Sequence, residues 1–329
     1  MAIEKVSSVL VPGAAGPAGI NTIKSLKMAK FDGRIVATDS SSLAAGFFLS
    51  SSYHIMPEVV NEKKFIEKLV DVVTKESVQT LMPSSGYDIF PYSKYRRELA
   101  EMGVMAVVSD RDKLEICRDK MLTYSTLRGK FNLPFTTLDH SKVSAFPAIA
   151  KPRFGKGSRD VIAIEDENDL RYVSSKYREM IYQEFLPGTE YTVDVLCNLD
   201  REPIVAVPRM RIQTKAGISM KGKVVRHKEL EEECMEIAQT IGITGPCCIQ
   251  MKESKEDSFK LVEINPRMGG GTIFTAIAGA NFPKLIIDMV EGRKIEIPKI
   301  NEITVVRYLD EIVVEEAKGV EAKPAALRT

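Results

Sequence analysis

Leu261-Val262-Glu263-Ile264-Asn265-Pro266-Arg267, followed by Met268 and the glycines Gly269, Gly270 and Gly271, decides how this chain is read. Val262 and Ile264 alternate with Glu263 and Asn265, so at strand period one face is apolar and the other carries two oxygen ligands. Pro266 has no N–H to give and ends the ladder. Arg267 then projects a fixed positive charge beyond the strand end. Upstream, Ile249-Gln250-Met251-Lys252 alternates in the same way, and the polar segment Glu253 to Ser258 joins the two runs. Folded as an antiparallel hairpin centred between Glu256 and Asp257, the pair sets Gln250 opposite Glu263 on one face. Ile249 then falls opposite Ile264, and Met251 opposite Val262, on the other. One carboxylate and the amide oxygens of Gln250 and Asn265 converge. Hard oxygen donors with little charge suit Mg²⁺, which takes its remaining ligands from phosphates and water. The same alternation fits a surface hairpin with its polar face in water; the arginine and the glycine run favour the site.

The 329 residues allow two or three domains around a large core. Apolar content of 44% and charged content of 28% are ordinary for a globular protein. A net charge of +1 gives no reason to expect a nucleic-acid partner. No apolar run approaches the length of a membrane span, and the first residues lack a signal-peptide layout. Five cysteines without CxxC spacing read as a reduced, cytoplasmic set, with Cys247 and Cys248 as small core residues. The three histidines have no metal-ligand spacing.

From the N-terminus, Val6 to Val11 reads as a buried strand, Gly13-Ala-Ala-Gly16-Pro-Ala-Gly19 as a tight turn, and Ile20 to Ala29 as a helix. A strand over Arg34 to Thr38 ends in Asp39, about where dinucleotide folds place a ribose-binding acid. Strand and helix units continue: Tyr53 to Met56, Glu62 to Lys75, Thr80 to Met82, Asp88 to Met102, Val104 to Val108. Ser85 stands at a strand end, a usual place for ligand contacts in an open parallel sheet. The expected class is therefore α/β, opening with a doubly wound parallel sheet.

A helix from about Asp112 carries Asp119 and Lys120, and a strand over Pro147 to Ala150 runs into Lys151. Arg153-Phe154-Gly155-Lys156-Gly157-Ser158-Arg159 follows, a glycine-containing basic loop that fits phosphate cradling, or simply a solvated turn. In Gln183-Glu184-Phe185-Leu186, broken by Pro187-Gly188, an exposed strand edge is able to pair with adenine through its main chain, and Glu190 to hold ribose hydroxyls. Arg209 and Arg211 alternate on one face before Lys215 and suit a carboxylate or phosphate, or else pair with surface acids. Thr272 is expected to start a helix behind the three glycines, with its N-terminus favouring an anion.

Taken in order, Lys120, Lys151-Pro152, the Gly155-Lys156-Gly157 loop, Gln183 to Leu186, Glu190, Gln250 and Glu263-Ile-Asn265-Pro-Arg267 resemble the ATP-grasp superfamily. Gly13-Ala-Ala-Gly-Pro-Ala-Gly-Ile-Asn21 and Ala278 to Gly292 sharpen the resemblance to one ATP-grasp half of the carbamoyl-phosphate synthase large subunit. It covers residues 3 to 310. The resemblance implies a pre-ATP-grasp domain over 1–111, a lid over 112–182, a metal-bearing C-terminal subdomain over 183–314 and a loose tail over 315–329. Lys120 and Lys151 would contact ATP phosphates, and Phe154, Gly155, Lys156, Gly157 and Ser158 would cover them. Glu184, Phe185 and Leu186, with Gln183, would hold adenine, and Glu190 the ribose. Gln250, Glu263 and Asn265 would bind Mg²⁺ (or Mn²⁺), and Arg267 would stabilise the transferred phosphoryl group. Two features depart from the synthase pattern: lysines stand where the synthase has arginines, and Met268 to Gly271 differ from its serine- and arginine-containing segment, which points to another acceptor.

The expected activity is that of an ATP-grasp ligase joining a small carboxylate, such as an amino acid, to an amine or thiol through an acyl phosphate. Arg209, Arg211, Lys215, Ser85 and Gly269 to Gly271 would be the substrate's neighbours. Small-molecule substrates, no nucleic acid, no membrane and a homodimer are the expected partners. Two rivals are an NAD(P)-linked oxidoreductase or epimerase using Gly13, Gly16, Gly19 and Asp39, and a non-catalytic ATP-binding regulatory subunit.

Overall fold

Ser8 to Pro12 is five residues of unbroken burial, as a strand covered on both faces must be. In the computed structural model, which describes residues 3–155, 160–254, 258–315 and 323–324, it is the first strand, β1 (Ser8–Pro12). The chain folds as two units: Met1–Val108 with Arg267–Glu296 and Val305–Thr329, and Ser109–Pro266 with Ile297–Thr304. The expected lid segment 112–182 falls inside the second unit, together with residues 183–266.

In the first unit β1 leads through Gly13 to Gly16 into α1 (Pro17–Met28), with Pro17 at the first helical position, where its missing N–H costs nothing. β2 (Arg34–Asp39), β3 (Ser52–Ile55), β4 (Thr80–Leu81) and β5 (Met105–Ala106) complete a parallel sheet of order β3-β2-β1-β4-β5. α2 (Glu62–Lys75) begins where the Asn61 side chain accepts the Lys64 N–H, and it buries Phe65, Leu69, Val72 and Val73 at helical spacing. The single helix expected over Asp88 to Met102 is two short ones, α3 (Ile89–Lys94) and α4 (Arg96–Glu101), interrupted at Tyr95 (φ −100°, ψ 18°). Lys94 and the Tyr95 hydroxyl both engage Glu62, a tertiary contact that periodicity does not reveal.

The second unit opens with a similar break. α5 (Arg111–Arg118) stops at Asp119, whose extended backbone ends one helix and whose carboxylate caps the next, α6 (Lys120–Leu127). That side chain accepts the N–H groups of Met121 and Leu122 at 2.9 and 3.3 Å. β6 (Thr136–Thr137), β7 (Ala148–Pro152), β8 (Ile162–Ile164) and β9 (Met180–Glu184) form an antiparallel sheet of order β6-β9-β7-β8, with α7 (Glu167–Lys176) between its last two strands in sequence. Lys151 lies within β7, one residue past the strand end expected.

A larger sheet holds β10 (Glu190–Cys197), β11 (Pro203–Lys215), β12 (Ile218–Val224), β13 (Gly245–Glu253) and β14 (Phe259–Asn265), in the order β14-β13-β10-β11-β12. α8 (Lys228–Ile241) packs one of its faces, where Val193, Val195, Ile237, Ile241, Ile249, Leu261 and Ile264 build the core of the unit. Gly242, in the left-handed region at φ 83°, ends α8.

The chain then returns to the first unit with α9 (Thr272–Ile277) and α10 (Phe282–Val290). α9 begins at Thr272, directly behind the three glycines, as the sequence led one to expect. β15 (Ile303–Val306) follows β12 in the large sheet. In the expected tail, Val314–Glu315 and Lys323–Pro324 pair as two short antiparallel strands, and the rest lies outside the described residues. All five cysteines, Cys247 and Cys248 among them, are buried thiols outside any disulfide. Among the described residues no helix is long and apolar enough to cross a membrane.

Candidate active site

Gln250 on β13 is the direct partner of Glu263 on β14, the pairing expected from alternation, and Ile249 lies opposite Ile264. The register then shifts. Met251 pairs with Leu261, not Val262, so Val262 is the extra residue of a bulge. The apolar face of β14 is therefore Leu261 and Ile264, both buried, while Val262 and Glu263 turn together to the other side. A bulge re-aims side chains locally, and here it adds Val262 to the wall that holds the carboxylate.

That wall belongs to a cleft of about 860 Å³ of empty space, its solvent-filled mouth included. Around it stand Lys120, Lys151, Gln183 to Leu186, Glu190, Gln250, Lys252 and Glu263, all in the second unit. Sequence reasoning missed Lys252, although its place two residues beyond Gln250 on one strand put it on the same face. Asn265, two residues beyond Glu263 on β14 and opposite Cys248, lies farther along the same face.

Lys151 is 6% exposed, and its Nζ sits 3.5 Å from the Val262 carbonyl oxygen freed by the bulge. Burial pulls its pKa down to about 8; the neighbouring Lys120 ammonium acts in the same sense, against the Glu263 and Glu190 carboxylates. Lys120 is likewise lowered by burial, opposed by Glu263 and Asp119. Two partly dehydrated ammonium groups facing one cleft with few carboxylates leave an unmatched positive potential, which a polyphosphate relieves.

Lys120 is held from below. Its Nζ donates to the Gly155 carbonyl at 3.2 Å and its N–H to the Arg153 carbonyl at 3.3 Å. Arg153 makes a bidentate pair with Asp119 at 2.8 and 2.5 Å, and the Arg153 and Arg118 guanidiniums each lie over the Phe154 ring, at 5.1 and 5.4 Å from its centroid. Of the expected phosphate loop the structure describes Phe154 and Gly155, of which Gly155 lines the cleft; Lys156, Gly157 and Ser158 lie outside the described residues.

At the other end of the cleft, the Glu184 N–H donates to the Phe135 carbonyl at 2.9 Å, and the Glu184 carboxylate takes the Lys260 ammonium at 2.8 and 2.9 Å. Gln183 donates to Thr136 Oγ1 at 2.9 Å. The exposed edge expected at Gln183 and Glu184 is not found, because β9 is an interior strand paired with β6 on one side and β7 on the other; just past its end, Leu186, 4% exposed, lines the cleft with Phe185 and Glu184. Glu190, just past the Pro187-Gly188 break, lines the same cleft and is ion-paired with Arg211.

The expected substrate residues are divided between the two units. Arg209 is 2% exposed and makes a bidentate pair with the wholly buried Asp194 at 2.8 Å on both arms; Cys248 Sγ is 3.1 Å from the same carboxylate. An arginine so engaged serves the sheet interior rather than an incoming carboxylate, a correction to its sequence reading. Lys215 is exposed at the end of β11. Ser85, Arg267 and Gly269 to Gly271 all belong to the first unit. There Ser85 donates to Asp88 at 2.7 Å, Arg267 to the Met268 carbonyl at 2.8 Å, and the Gly270 carbonyl accepts from Asn21 at 2.6 Å and from Arg307.

The glycine turn of the first unit is self-contained. A Cβ on Gly19 would lie 2.3 Å from the Gly13 carbonyl oxygen, so Gly19 lets α1 pack on the turn. Asp39, the acid a dinucleotide reading assigns to ribose, accepts the Ala15 N–H at 2.8 Å and the Ser41 N–H at 2.9 Å. A carboxylate already occupying the turn amide repels a pyrophosphate there.

Among the described residues no three His, Cys, Asp or Glu side chains gather as a metal cluster. The donor set is instead Gln250, Glu263 and Asn265, one carboxylate and two amides. Glu263 makes no side-chain hydrogen bond or ion pair with the described residues, so its oxygens remain open for a hard cation. That chemistry fits Mg²⁺ held jointly by protein and phosphate.

Residues 176–312 match the family described as ATP-grasp in the biosynthetic pathway with Ter operon. The carbamoyl phosphate synthase large chain of Clostridium botulinum is 23% identical over 274 residues, 76% of this chain and 25% of that one. The D-alanine–D-alanine ligase of Pseudothermotoga lettingae is 38% identical over 90 residues, 25% of this chain and 30% of the ligase. The chain spans about a quarter of the length of the synthase chains it matches. In structure it is similar to N5-carboxyaminoimidazole synthetase from Staphylococcus aureus complexed with ADP, at a TM-score of 0.72 and 15% identity over 93% of this chain and 83% of that one. Residues 176–312 are thus similar to an ATP-grasp family, and the relatives that the chain resembles in part include a ligase. Over most of its length it resembles one part of the carbamoyl phosphate synthase large chain.

Proposed function

We propose that this chain is an ATP- and Mg²⁺-dependent ligase that joins a small carboxylate to an amine or a thiol through an acyl phosphate. One observation carries the reading: the Gln250–Glu263 pair, the buried Lys151 and the half-buried Lys120 line one cleft together with Phe185, Leu186 and Glu190. The Leu186 and Glu184 main chain would hold adenine, and Glu190 the ribose hydroxyls. Lys120 and Lys151 would neutralise the phosphates, with Phe154 and Gly155 beside them. Gln250, Glu263 and Asn265 would hold Mg²⁺, which when bound screens phosphate charge and polarises the transferred group. From the resemblance, Arg267 is proposed to stabilise charge on that group, and Ser85 and Gly269 to Gly271 to neighbour the acceptor.

A carboxylate oxygen attacks the γ-phosphorus, the bond to the β–γ bridging oxygen breaks, and ADP leaves. The amine nitrogen then attacks the acyl carbon, the C–O bond to phosphate breaks, and the nitrogen gives its proton to solvent. The protein's part is positioning and charge stabilisation, so no nucleophilic side chain is required. An amino acid is the favoured carboxylate. The fully reduced, buried cysteines fit a reducing compartment such as the cytoplasm, and a homodimer is proposed on the resemblance alone. ADP release measured across a panel of amino acids and other small acids, with and without amines, tests the reading. The expected result is acid-dependent ADP formation that Glu263→Ala abolishes without unfolding the protein; undiminished turnover by that variant would refute the metal assignment.

A further inference from the structure

Glu190 stands between two cations. Its Cα partner on β13 is Lys252, and on its other side β11 brings Arg211, which takes the ion pair. The Arg211 side chain is 6% exposed and uses its arms differently. Nη1 holds the Glu190 carboxylate, and Nη2 donates to the Gly217 carbonyl at 2.8 Å. Nε is buried with no hydrogen-bond partner among the described residues. The sheet is shaped around this contact. Arg211 lies opposite Gly222, which has no side chain, and the register slips between Arg211 and Gln213, leaving Ile212 exposed as the extra residue. Gly217 belongs to the two-residue turn Ala216-Gly217, both in the left-handed region at φ 48° and 74°.

A glutamate at the mouth of a cleft has three rotatable bonds and is free to swing into water. One arm of a buried guanidinium removes that freedom, and the second arm anchors the guanidinium to a rigid turn. We propose that Arg211 is the positioning residue for sugar recognition: it holds the Glu190 carboxylate where vicinal ribose hydroxyls bridge its oxygens. The inference rests on the ATP reading of the cleft and deepens it. Discrimination between ribo- and deoxyribonucleotides comes from an acid that the cleft contains but that β11 aims.

The test uses binding alone, so it needs neither the acceptor nor turnover. Calorimetry with MgADP and with Mg-2′-deoxyADP on the full chain is expected to give a preference for ADP of about tenfold or more, the worth of a charge-assisted hydrogen bond. In Arg211→Met that ratio falls towards one, chiefly because ADP weakens while deoxyADP changes little. Glu190→Gln gives the same collapse with the arginine intact, which covers the case in which Arg211→Met folds poorly; thermal melting of both variants identifies that case. Equal weakening of both nucleotides in Arg211→Met, with the preference kept, would overturn the positioning role, as would a wild-type protein that binds them equally. Binding of neither nucleotide would overturn the ATP reading itself, and this inference with it.

Discussion

Gln250 and Glu263 face each other directly across β13 and β14, and the bulge that follows them turns Val262 into the same cleft wall. The pair gives one negative charge and three side-chain oxygens within a single cross-strand step, beside two lysines that carry a charge in excess of it. Such a pair binds a divalent ion weakly alone and well with phosphate present.

Glu263→Gln is therefore expected to lower acid-dependent ADP formation by about a hundredfold or more, since charge stabilisation in the transition state is the largest single contribution. The variant should unfold within about 0.5 kcal/mol of wild type, because Glu263 makes no ion pair or side-chain hydrogen bond that the fold depends on. ADP assays at several Mg²⁺ concentrations, with urea unfolding beside them, check both parts.

Lys151 gives a pH signature. Its pKa is about 8 in the folded protein, against an ordinary lysine value of 10.5, so the unfolded chain binds more protons between those values. The penalty of a buried ammonium is present in full below about pH 8, and is relieved as pH rises from there towards 10.5, where Lys151 adds stability with increasing pH. A polyphosphate restores the charged form, so MgADP binding at pH 8.5 should take up protons. Calorimetry in buffers of different ionisation enthalpy reads that uptake, and Lys151→Met should remove most of it.

The buried Arg209–Asp194 pair should behave as structure. Asp194→Ala strands a guanidinium in the sheet interior and is expected to cost about 3–5 kcal/mol in urea unfolding. Replacing both residues by hydrophobic ones of similar volume should restore most of that loss, as removing a whole buried pair often does.

Much of the large sheet was legible in advance. Alternation sufficed to pair Gln250 with Glu263, because a slip of one residue would have exposed Ile249 and Ile264. The bulge was not legible, since Leu261 and Val262 are equally apolar and only the tertiary core chooses between them. For the same reason Arg209 looked like a ligand: its partner Asp194 is distant in sequence, and alternation places a side chain on a face without saying what else is buried there. The break at Asp119 was hidden inside a continuous helical pattern, yet it makes Lys120 the first residue of a capped helix. Lys252 was available from its spacing to Gln250 and was overlooked.

The N-terminal turn is expected to be silent to nicotinamide cofactors, because Asp39 already takes the Ala15 amide. Titration with NADH should show no fluorescence change. Gly19→Ala should destabilise the protein by about 1–3 kcal/mol, the usual range for overpacking, since its Cβ would meet backbone rather than a movable side chain.

The central claim is that a carboxylate oxygen attacks the γ-phosphorus of ATP in the Lys120–Lys151–Glu263 cleft. Turnover with the accepted acid labelled with ¹⁸O in its carboxylate, followed by mass spectrometry of the phosphate released, tests it most directly. An acyl phosphate carries one labelled oxygen into each phosphate. Unlabelled phosphate, formed while the acid is consumed, would contradict the account.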